Sequence, residues 1–156
     1  MQSIKEKING DLTSSMKAKD AVKVSALRLV LSAIKNREIE FRGAGKMKLT
    51  DSLPDADVMQ VLSGMAKQRR ESIEMFEQGG RHDLSEKEAA ELNILMSYLP
   101  QQLSEKDVEK VVVEIIKETS ATGIKDMGQV MKLVMAKVAG KADGKMVSEV
   151  VRRNLN

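Results

Sequence analysis

The sequence lacks cysteine and tryptophan, and its 156 residues include one histidine, one tyrosine, two phenylalanines and two prolines. Without cysteine there is no disulfide, thiolate nucleophile, zinc–thiolate site or iron–sulfur cluster, and a reducing compartment is expected. The single His82 excludes a two-histidine metal site, and any Ser–His–acid triad would depend on it alone. We therefore expect no metal, no cofactor and no catalytic residue.

Aromatic residues make up only 2% of the chain, so few aromatic side chains are available to stack on nucleic-acid bases. Any nucleic acid would have to be bound through its backbone. No apolar run approaches the roughly 20 residues that a membrane span needs, and the N-terminus has no signal-peptide pattern. We expect a soluble, cytoplasmic protein with no membrane contact.

What the sequence does contain is helical periodicity. Ser3 and Glu6 form a capping box before a helix over residues 4–18, and Asp20 caps a second helix that runs to Gly43. Residues 43–53 have no period and are expected to form a mobile connection. Two further helices are predicted, one from Pro54 to Gly79 and one from a second capping box, Ser85 with Glu88, to Pro100.

Pro100 interrupts the pattern, and Ser104 follows as a new cap, which predicts a boundary between residues 1–98 and 99–156. Beyond it, helices are predicted over 105–119, over 124–139 and from Gly144 onward. A short strand near residues 111–116 is the structural alternative, but no alternating segment is available to pair with it. The predicted fold is all-α, with about four helices in an N-terminal bundle and three in a small C-terminal domain.

Positive charge is concentrated near the C-terminus. Residues 1–98 carry 16 basic and 15 acidic side chains, whereas residues 120–156 carry 7 basic and 3 acidic ones, a net charge of +4. The seven cations are Lys125, Lys132, Lys137, Lys141, Lys145, Arg152 and Arg153. A basic C-terminal domain is an electrostatic signature of nucleic-acid binding.

Glycines accompany these cations. Gly128 and Met131 lie in an apolar helical period, where glycine costs about 1 kcal/mol relative to alanine, so close helix packing or close ligand approach is expected there. The turn over residues 140–145 (GKADGK) contains Gly140, Asp143 and Gly144 and enters the last helix, whose N-terminus could hold a phosphate. The simpler interpretation is a turn in which glycine adopts a positive φ and Asp143 caps the helix.

A second cationic cluster, Lys67, Arg69 and Arg70, lies within the third predicted helix. It is either a solvated face with pairs such as Arg70 to Glu74, or a surface that helps to contact phosphate. His82 falls in a predicted polar loop, where an exposed histidine is the ordinary expectation.

Several segments together resemble a known family. In chain order they are residues 19–20 (KD), 27–36 (LRLVLSAIKN), 67–74 (KQRRESIE), 98–104 (YLPQQLS), 125–131 (KDMGQVM) and 140–145 (GKADGK). On these motifs the chain resembles the YqeY family of GatB/YqeY-domain proteins over residues 3 to 155. The resemblance implies an all-helical protein whose C-terminal domain is similar to the tail of GatB, a subunit of the tRNA-dependent amidotransferase.

In that enzyme the tail helps to hold tRNA, while the chemistry lies in other domains and subunits. The resemblance therefore implies a protein that binds tRNA, or a tRNA-bearing amidotransferase or synthetase complex. Two alternatives remain open: an adaptor whose methionine-rich grooves dock such an enzyme, and a glutamine-dependent carbon–nitrogen ligase that acts within a complex. No autonomous activity is expected, because no nucleophile or ATP-binding loop is visible.

Overall fold

Seven α-helices and one short 3-10 helix form the protein in a computed structural model that describes all 156 residues. The absence of strands confirms the all-α prediction. The helices are α1 (Ile4–Lys17), α2 (Ala21–Gly43), α3 (Asp55–Gln78), α4 (His82–Met96), α5 (Glu105–Thr119), the 3-10 helix Ile124–Asp126, α6 (Met127–Val138) and α7 (Gly144–Leu155). None of them has both the length and the apolar character that a membrane crossing would require.

Three helix starts follow the capping residues in the sequence. The Ser3 hydroxyl accepts from the Glu6 N–H at 3.2 Å, and the Glu6 carboxylate accepts from the Ser3 N–H at 2.9 Å, which completes the predicted capping box of α1. The Asp20 carboxylate caps α2, and the Ser104 hydroxyl caps α5. These predictions are confirmed, because a capping hydrogen bond depends only on neighbouring residues.

The predicted start of α4 is wrong. The helix begins at His82, which is therefore its first residue and not part of a loop, and Ser85 lies inside the first turn. The Ser85 hydroxyl donates to the carboxylate of Glu77 and to the His82 carbonyl, so it does not cap an N–H. Glu88, the other half of the expected capping box, instead pairs with Arg69 across the α3–α4 interface.

The chain forms two compact units, Met1–Leu99 and Pro100–Asn156, each with its own core. In the N-terminal unit α1 packs against α2 and α3 packs against α4. Its buried apolar residues are Ile8, Leu27, Val30, Ile34, Leu53, Val58, Leu62, Leu95 and Tyr98. The Tyr98 hydroxyl donates to the Asp11 carboxylate at 2.5 Å, and burial together with this bond raises the pKa of Tyr98 above its ordinary value.

The connection between α2 and α3, predicted to be mobile, makes specific contacts with the N-terminal unit. The Arg42 guanidinium donates to the Asp51 carbonyl at 3.0 Å, and the Glu38 carboxylate accepts from the Leu53 N–H at 3.1 Å. Leu53 itself is buried in the core. The glycines and lysines of this segment are typical of a flexible loop, but the long-range contacts at Arg42 and Glu38 hold it against α2.

The C-terminal unit consists of α5, α6 and α7, each packed against the other two. Eight of the ten buried residues in its core are valines. The full set is Val108, Val112, Ile115, Val130, Val134, Val138, Val147, Val150, Val151 and Leu155. The β-branched residues 111–113 belong to α5, so the strand alternative is excluded.

Candidate nucleic-acid interface

The turn between α6 and α7, residues 140–145, is held by the segment just before α5. The Gln102 side-chain amide donates to the carbonyls of Pro100 and Gly140, both at 2.9 Å. The Leu103 N–H donates to the Lys141 carbonyl at 2.7 Å. Residues 100–103 and the 140–145 turn are far apart in the sequence but contact each other within the C-terminal unit, which gives the turn a defined shape.

Two of the seven cations that the sequence predicts to contact nucleic acid form ion pairs with carboxylates on α5. The Lys137 ammonium lies 2.8 Å from Glu114, and the Arg153 guanidinium lies 2.8 Å from Glu105 and 3.4 Å from Glu109. The hydrogen bond from Lys137 lowers the pKa of Glu114 below its ordinary value and raises that of Lys137. Residues 100–156 as a whole carry 10 basic and 8 acidic side chains, a net charge of +2.

Four other cations have no ion pair. Lys125, Lys132, Lys141 and Arg152 are all exposed, on the 3-10 helix, on α6, in the turn and on α7. Lys137 marks the side of α6 that faces α5, and Lys132, five residues earlier, lies roughly 140° away around the helix. Arg152 is likewise displaced by roughly 100° from the α5-facing Arg153. Three of the four, Lys132, Lys141 and Arg152, therefore belong to the α6–α7 hairpin, and Lys132 and Arg152 lie off the lines on which Lys137 and Arg153 pair with α5.

Lys145 and Asp143 border the same turn. Lys145 is exposed and lies seven residues before Arg152, so both occupy one face of α7. Asp143 precedes α7 at the N-cap position, but its side chain makes no capping hydrogen bond. Both residues make a further polar or electrostatic contact. The first N–H groups of α7 thus have no side-chain cap, and the positive end of the helix dipole lies at the turn beside one acidic residue, Asp143, and one basic residue, Lys145.

The motif glycines have different roles from one another. Gly140 has φ = 74°, a left-handed conformation, so glycine supplies the positive φ that the turn requires. Gly128 is exposed in the first turn of α6, and a methyl group added there would meet no atom within 4 Å. Close helix packing, one of the two roles expected at Gly128, is therefore wrong, and close ligand approach there stays a prediction. Met131 packs against the core, and a methyl group at Gly144 would lie 4.0 Å from the Met135 side chain, an ordinary contact.

Substitution of the two glycines by alanine is expected to change stability in opposite directions. Gly140→Ala should lower the free energy of unfolding by about 1–2 kcal/mol, because the left-handed conformation strains a Cβ. Gly128→Ala should raise it by up to about 1 kcal/mol, because alanine is the better helix former and the space is open. Urea denaturation of the two variants measures both effects. Equal destabilisation by both substitutions would contradict this assignment.

The second cationic cluster is divided by the fold. The Arg69 guanidinium lies 2.9 Å from Glu88 and 3.1 Å from Glu91, and its side chain is only 22% exposed. Arg70 is half-buried and its guanidinium contacts the Met96 sulfur at 3.3 Å. Only Lys67 is exposed without an ion pair. Arg69 therefore joins α3 to α4 and does not present its charge to a phosphate, contrary to the hypothesis of a phosphate-contacting surface.

Comparison with known proteins assigns the chain to a family. A family model described as Yqey-like protein matches residues 5–155. The chain belongs to the YqeY family. It is 31% identical over 140 residues to the altered inheritance of mitochondria protein 41, mitochondrial, of Saccharomyces cerevisiae, a match that covers 88% of this chain and 69% of the yeast protein. The protein of the same name from Lachancea thermotolerans is 34% identical over 110 residues, which covers 69% and 55% of the two chains.

This YqeY-family chain has one other polar cluster with catalytic residue types, formed by Glu77, His82 and Ser85. The Glu77 carboxylate lies between the other two: it accepts from the Ser85 hydroxyl, and its second oxygen lies 2.9 Å from the His82 ring. In a hydrolytic triad the histidine must contact the serine to remove its proton. Here Glu77, and not His82, contacts the Ser85 hydroxyl. The cluster therefore stabilises the turn between α3 and α4 and does not activate a nucleophile.

Sequence reasoning missed two features of this YqeY C-terminal unit that determine its surface. Gln102 positions the 140–145 turn, and no local pattern distinguishes it from Gln101. The acidic residues of α5 could have been detected, because Glu105 and Glu109 are four residues apart and share a helix face. A charge count over the whole unit, and not over residues 120–156 alone, would have shown that these carboxylates offset much of the basic excess.

Proposed function

We propose that the C-terminal unit binds tRNA, or a complex that carries tRNA, through the α6–α7 hairpin. One observation carries this proposal: Lys132 on α6, Lys141 in the turn and Arg152 on α7 are exposed and form no ion pair with α5. The turn also leads into a helix N-terminus without a side-chain cap. The carbonyls of Gly140 and Lys141 in the turn accept hydrogen bonds from Gln102 and Leu103, so the shape of the turn is held before any ligand binds. A preformed basic surface of this kind suits a phosphate backbone.

Recognition would depend on shape and phosphate positions. The chain's three aromatic residues, Phe41, Phe76 and Tyr98, all precede the C-terminal unit, so this unit has no aromatic side chain on which a base could stack. Backbone contacts position a protein on nucleic acid but do not read its sequence. We therefore expect binding that discriminates weakly among tRNA species and depends strongly on salt.

Two double variants of equal charge test the proposal. Lys132→Ala/Arg152→Ala removes two unpaired cations, whereas Lys137→Ala/Arg153→Ala removes two cations that α5 already neutralises. The first should weaken tRNA binding and reduce the slope of log affinity against log salt by about 0.7–0.9 for each phosphate that is no longer neutralised. The second should leave the slope close to that of the unmodified protein. Filter binding over a series of salt concentrations measures both.

The outcome that would contradict the proposal is equally specific. Equal weakening in the two double variants would mean that net charge alone, and not the hairpin surface, attracts the tRNA. No binding at low salt would exclude a tRNA-binding role for this unit altogether. Circular dichroism of each variant shows whether the helices are intact.

The adaptor alternative with methionine-rich grooves receives less support in this unit. Met127, Met131, Met135 and Met146 are partly buried and pack against the valine core, so they do not line an open groove.

A ligase acting within a complex would need its nucleophile and ATP site from other subunits. The pure protein with glutamine, ATP and Glu-tRNA(Gln) should therefore form no amide. A cytoplasmic location also stays a prediction.

A further inference from the structure

The outward face of α2 carries apolar residues that the N-terminal core does not use. Leu27, Val30 and Ile34 point inward and are fully buried. On the opposite side Val22, Leu29 and Ile39 are 51%, 47% and 54% exposed. Single exposed apolar side chains are common on protein surfaces, but three on one helix face are a candidate contact surface.

These residues share a regular register. Positions 22, 25, 29, 32, 36 and 39 alternate steps of three and four residues, and all six are exposed. We call this set, Val22, Ser25, Leu29, Ser32, Asn36 and Ile39, the α2 seam. Alternating steps of three and four place residues along one line that a second helix can follow. The two serines are small, so they allow a second helix to approach closely between the apolar positions.

One flank of the α2 seam is basic. Arg28 and Lys35 are exposed, lie seven residues apart beside the seam and have no ion pair. Residues 21–43, which form α2, carry five cations and two acids, a net charge of +3. Two of the cations are paired within the helix, Arg37 with Glu40 at 3.0 Å and Arg42 with Glu38 at 3.8 Å. Arg28 and Lys35 therefore remain for a partner.

We propose that the α2 seam docks an acidic amphipathic helix of a partner protein. The partner's apolar residues would pack against Val22, Leu29 and Ile39, and carboxylates on its flank would pair with Arg28 and Lys35. This is helix recognition by alternating anchors, with charge complementarity setting the choice of partner. The proposal concerns the N-terminal unit and is independent of tRNA binding by the C-terminal unit.

Two other occupants fit the surface less well. A nucleic-acid backbone would satisfy Arg28 and Lys35 but would leave the apolar side chains of the seam facing phosphates and water. A second copy of this chain would bring the same basic flank, and in an antiparallel pair Arg28 and Lys35 of the two copies would face each other and repel. An acidic helix satisfies both the apolar and the charged parts of the surface.

A pair of labelled peptides tests the proposal with the full-length protein. The probe is a helical peptide about three heptads long with leucine at the seam positions and glutamate on both flanks. The control peptide has lysine in place of every glutamate. Fluorescence anisotropy should show that the glutamate peptide binds about tenfold more tightly than the lysine peptide. Equal affinity for the two peptides, or no binding of either, would overturn the proposal.

Surface variants locate the binding site. Arg28→Glu/Lys35→Glu should reverse the preference between the two peptides, and Leu29→Ser should weaken binding of the glutamate peptide about tenfold. The matched control, Lys67→Glu/Lys87→Glu, changes two exposed unpaired lysines elsewhere in the same unit and should preserve the preference. All these positions are exposed, so the fold should survive, and melting temperatures check this.

Two results assign the surface to another occupant and would overturn the proposal. If Arg28→Glu/Lys35→Glu abolishes tRNA binding but does not change peptide binding, α2 contacts nucleic acid. If sedimentation shows a dimer of the unmodified chain that Leu29→Ser dissociates, the seam is an interface between copies.

Discussion

Arg69→Met is expected to lower the free energy of unfolding of the N-terminal unit by about 3 kcal/mol. The guanidinium bridges Glu88 and Glu91, whose side chains are 16% and 8% exposed, so its removal leaves two carboxylates half-buried or buried without a counter-charge. Methionine retains the apolar length of the side chain, so the decrease reports the effect of the charge. Urea denaturation followed by circular dichroism gives the value.

A second set of variants separates charge from packing at this site. Adding Glu88→Gln and Glu91→Gln to Arg69→Met should recover a large part of the stability, because no unpaired charge then remains in the interface. Lys67→Met, two residues away but exposed and unpaired, should change stability by less than about 0.5 kcal/mol. A decrease as large in Lys67→Met as in Arg69→Met would show that the Arg69 ion pairs contribute little.

Glu38→Gln is expected to destabilise the same unit by about 2–3 kcal/mol. The Glu38 side chain is 5% exposed and accepts from the Lys5 ammonium at 2.6 Å and the Leu53 N–H at 3.1 Å, while Arg42 lies 3.8 Å away. It therefore links α1, α2 and the connection before α3. Glutamine has the same shape but supplies no charge to Lys5 and Arg42. Thermal or urea unfolding at neutral pH measures the effect.

The same residue predicts a pH dependence. Burial would raise the pKa of Glu38, but the hydrogen bonds from Lys5 and Leu53 and the charges of Lys5 and Arg42 outweigh it and lower the pKa below its ordinary 4.5. A lowered pKa means that the unfolded state binds the proton more readily, so Glu38 contributes stability above pH 4.5 and loses it as the pH falls further.

The unfolding free energies of the unmodified protein and of the Glu38→Gln variant should therefore converge at low pH. The difference between the unmodified protein and Glu38→Gln should be largest near neutral pH and should shrink as the pH is lowered below 4.5. A matched control is Glu71→Gln, which changes an exposed carboxylate of the same unit that has no ion pair. A constant difference across the acid range would show that the charge of Glu38 does not stabilise the fold.

The candidate site shows where sequence prediction worked and where it did not. The turn over residues 140–145, the positive φ of Gly140 and the start of α7 at Gly144 follow local rules, and all were predicted. The sequence did not predict which cations form ion pairs within the fold and which remain accessible to a partner. Arg153 and Glu105 are separated by 48 positions in the sequence, so no window along the chain could reveal that they form an ion pair.

The start of α4 fails for the same reason. Ser85 and Glu88 have the spacing of a capping box, which is a local signal. In the fold Ser85 donates to Glu77 of the preceding helix, and Glu88 pairs with Arg69. These partners became available only when α3 and α4 packed together, and the helix began at His82, before the residue that the local pattern predicted.

By itself the sequence determined the all-α class, most helix ends and the family of the protein. Capping bonds, helical period and glycine turns involve residues within a few positions of one another, so a linear reading suffices for them. Only the tertiary structure decided which charges remain for a partner. It pairs Arg69, Lys137 and Arg153 internally and leaves the α6–α7 hairpin and the α2 seam exposed, because the partners of a charge depend on which helices pack side by side.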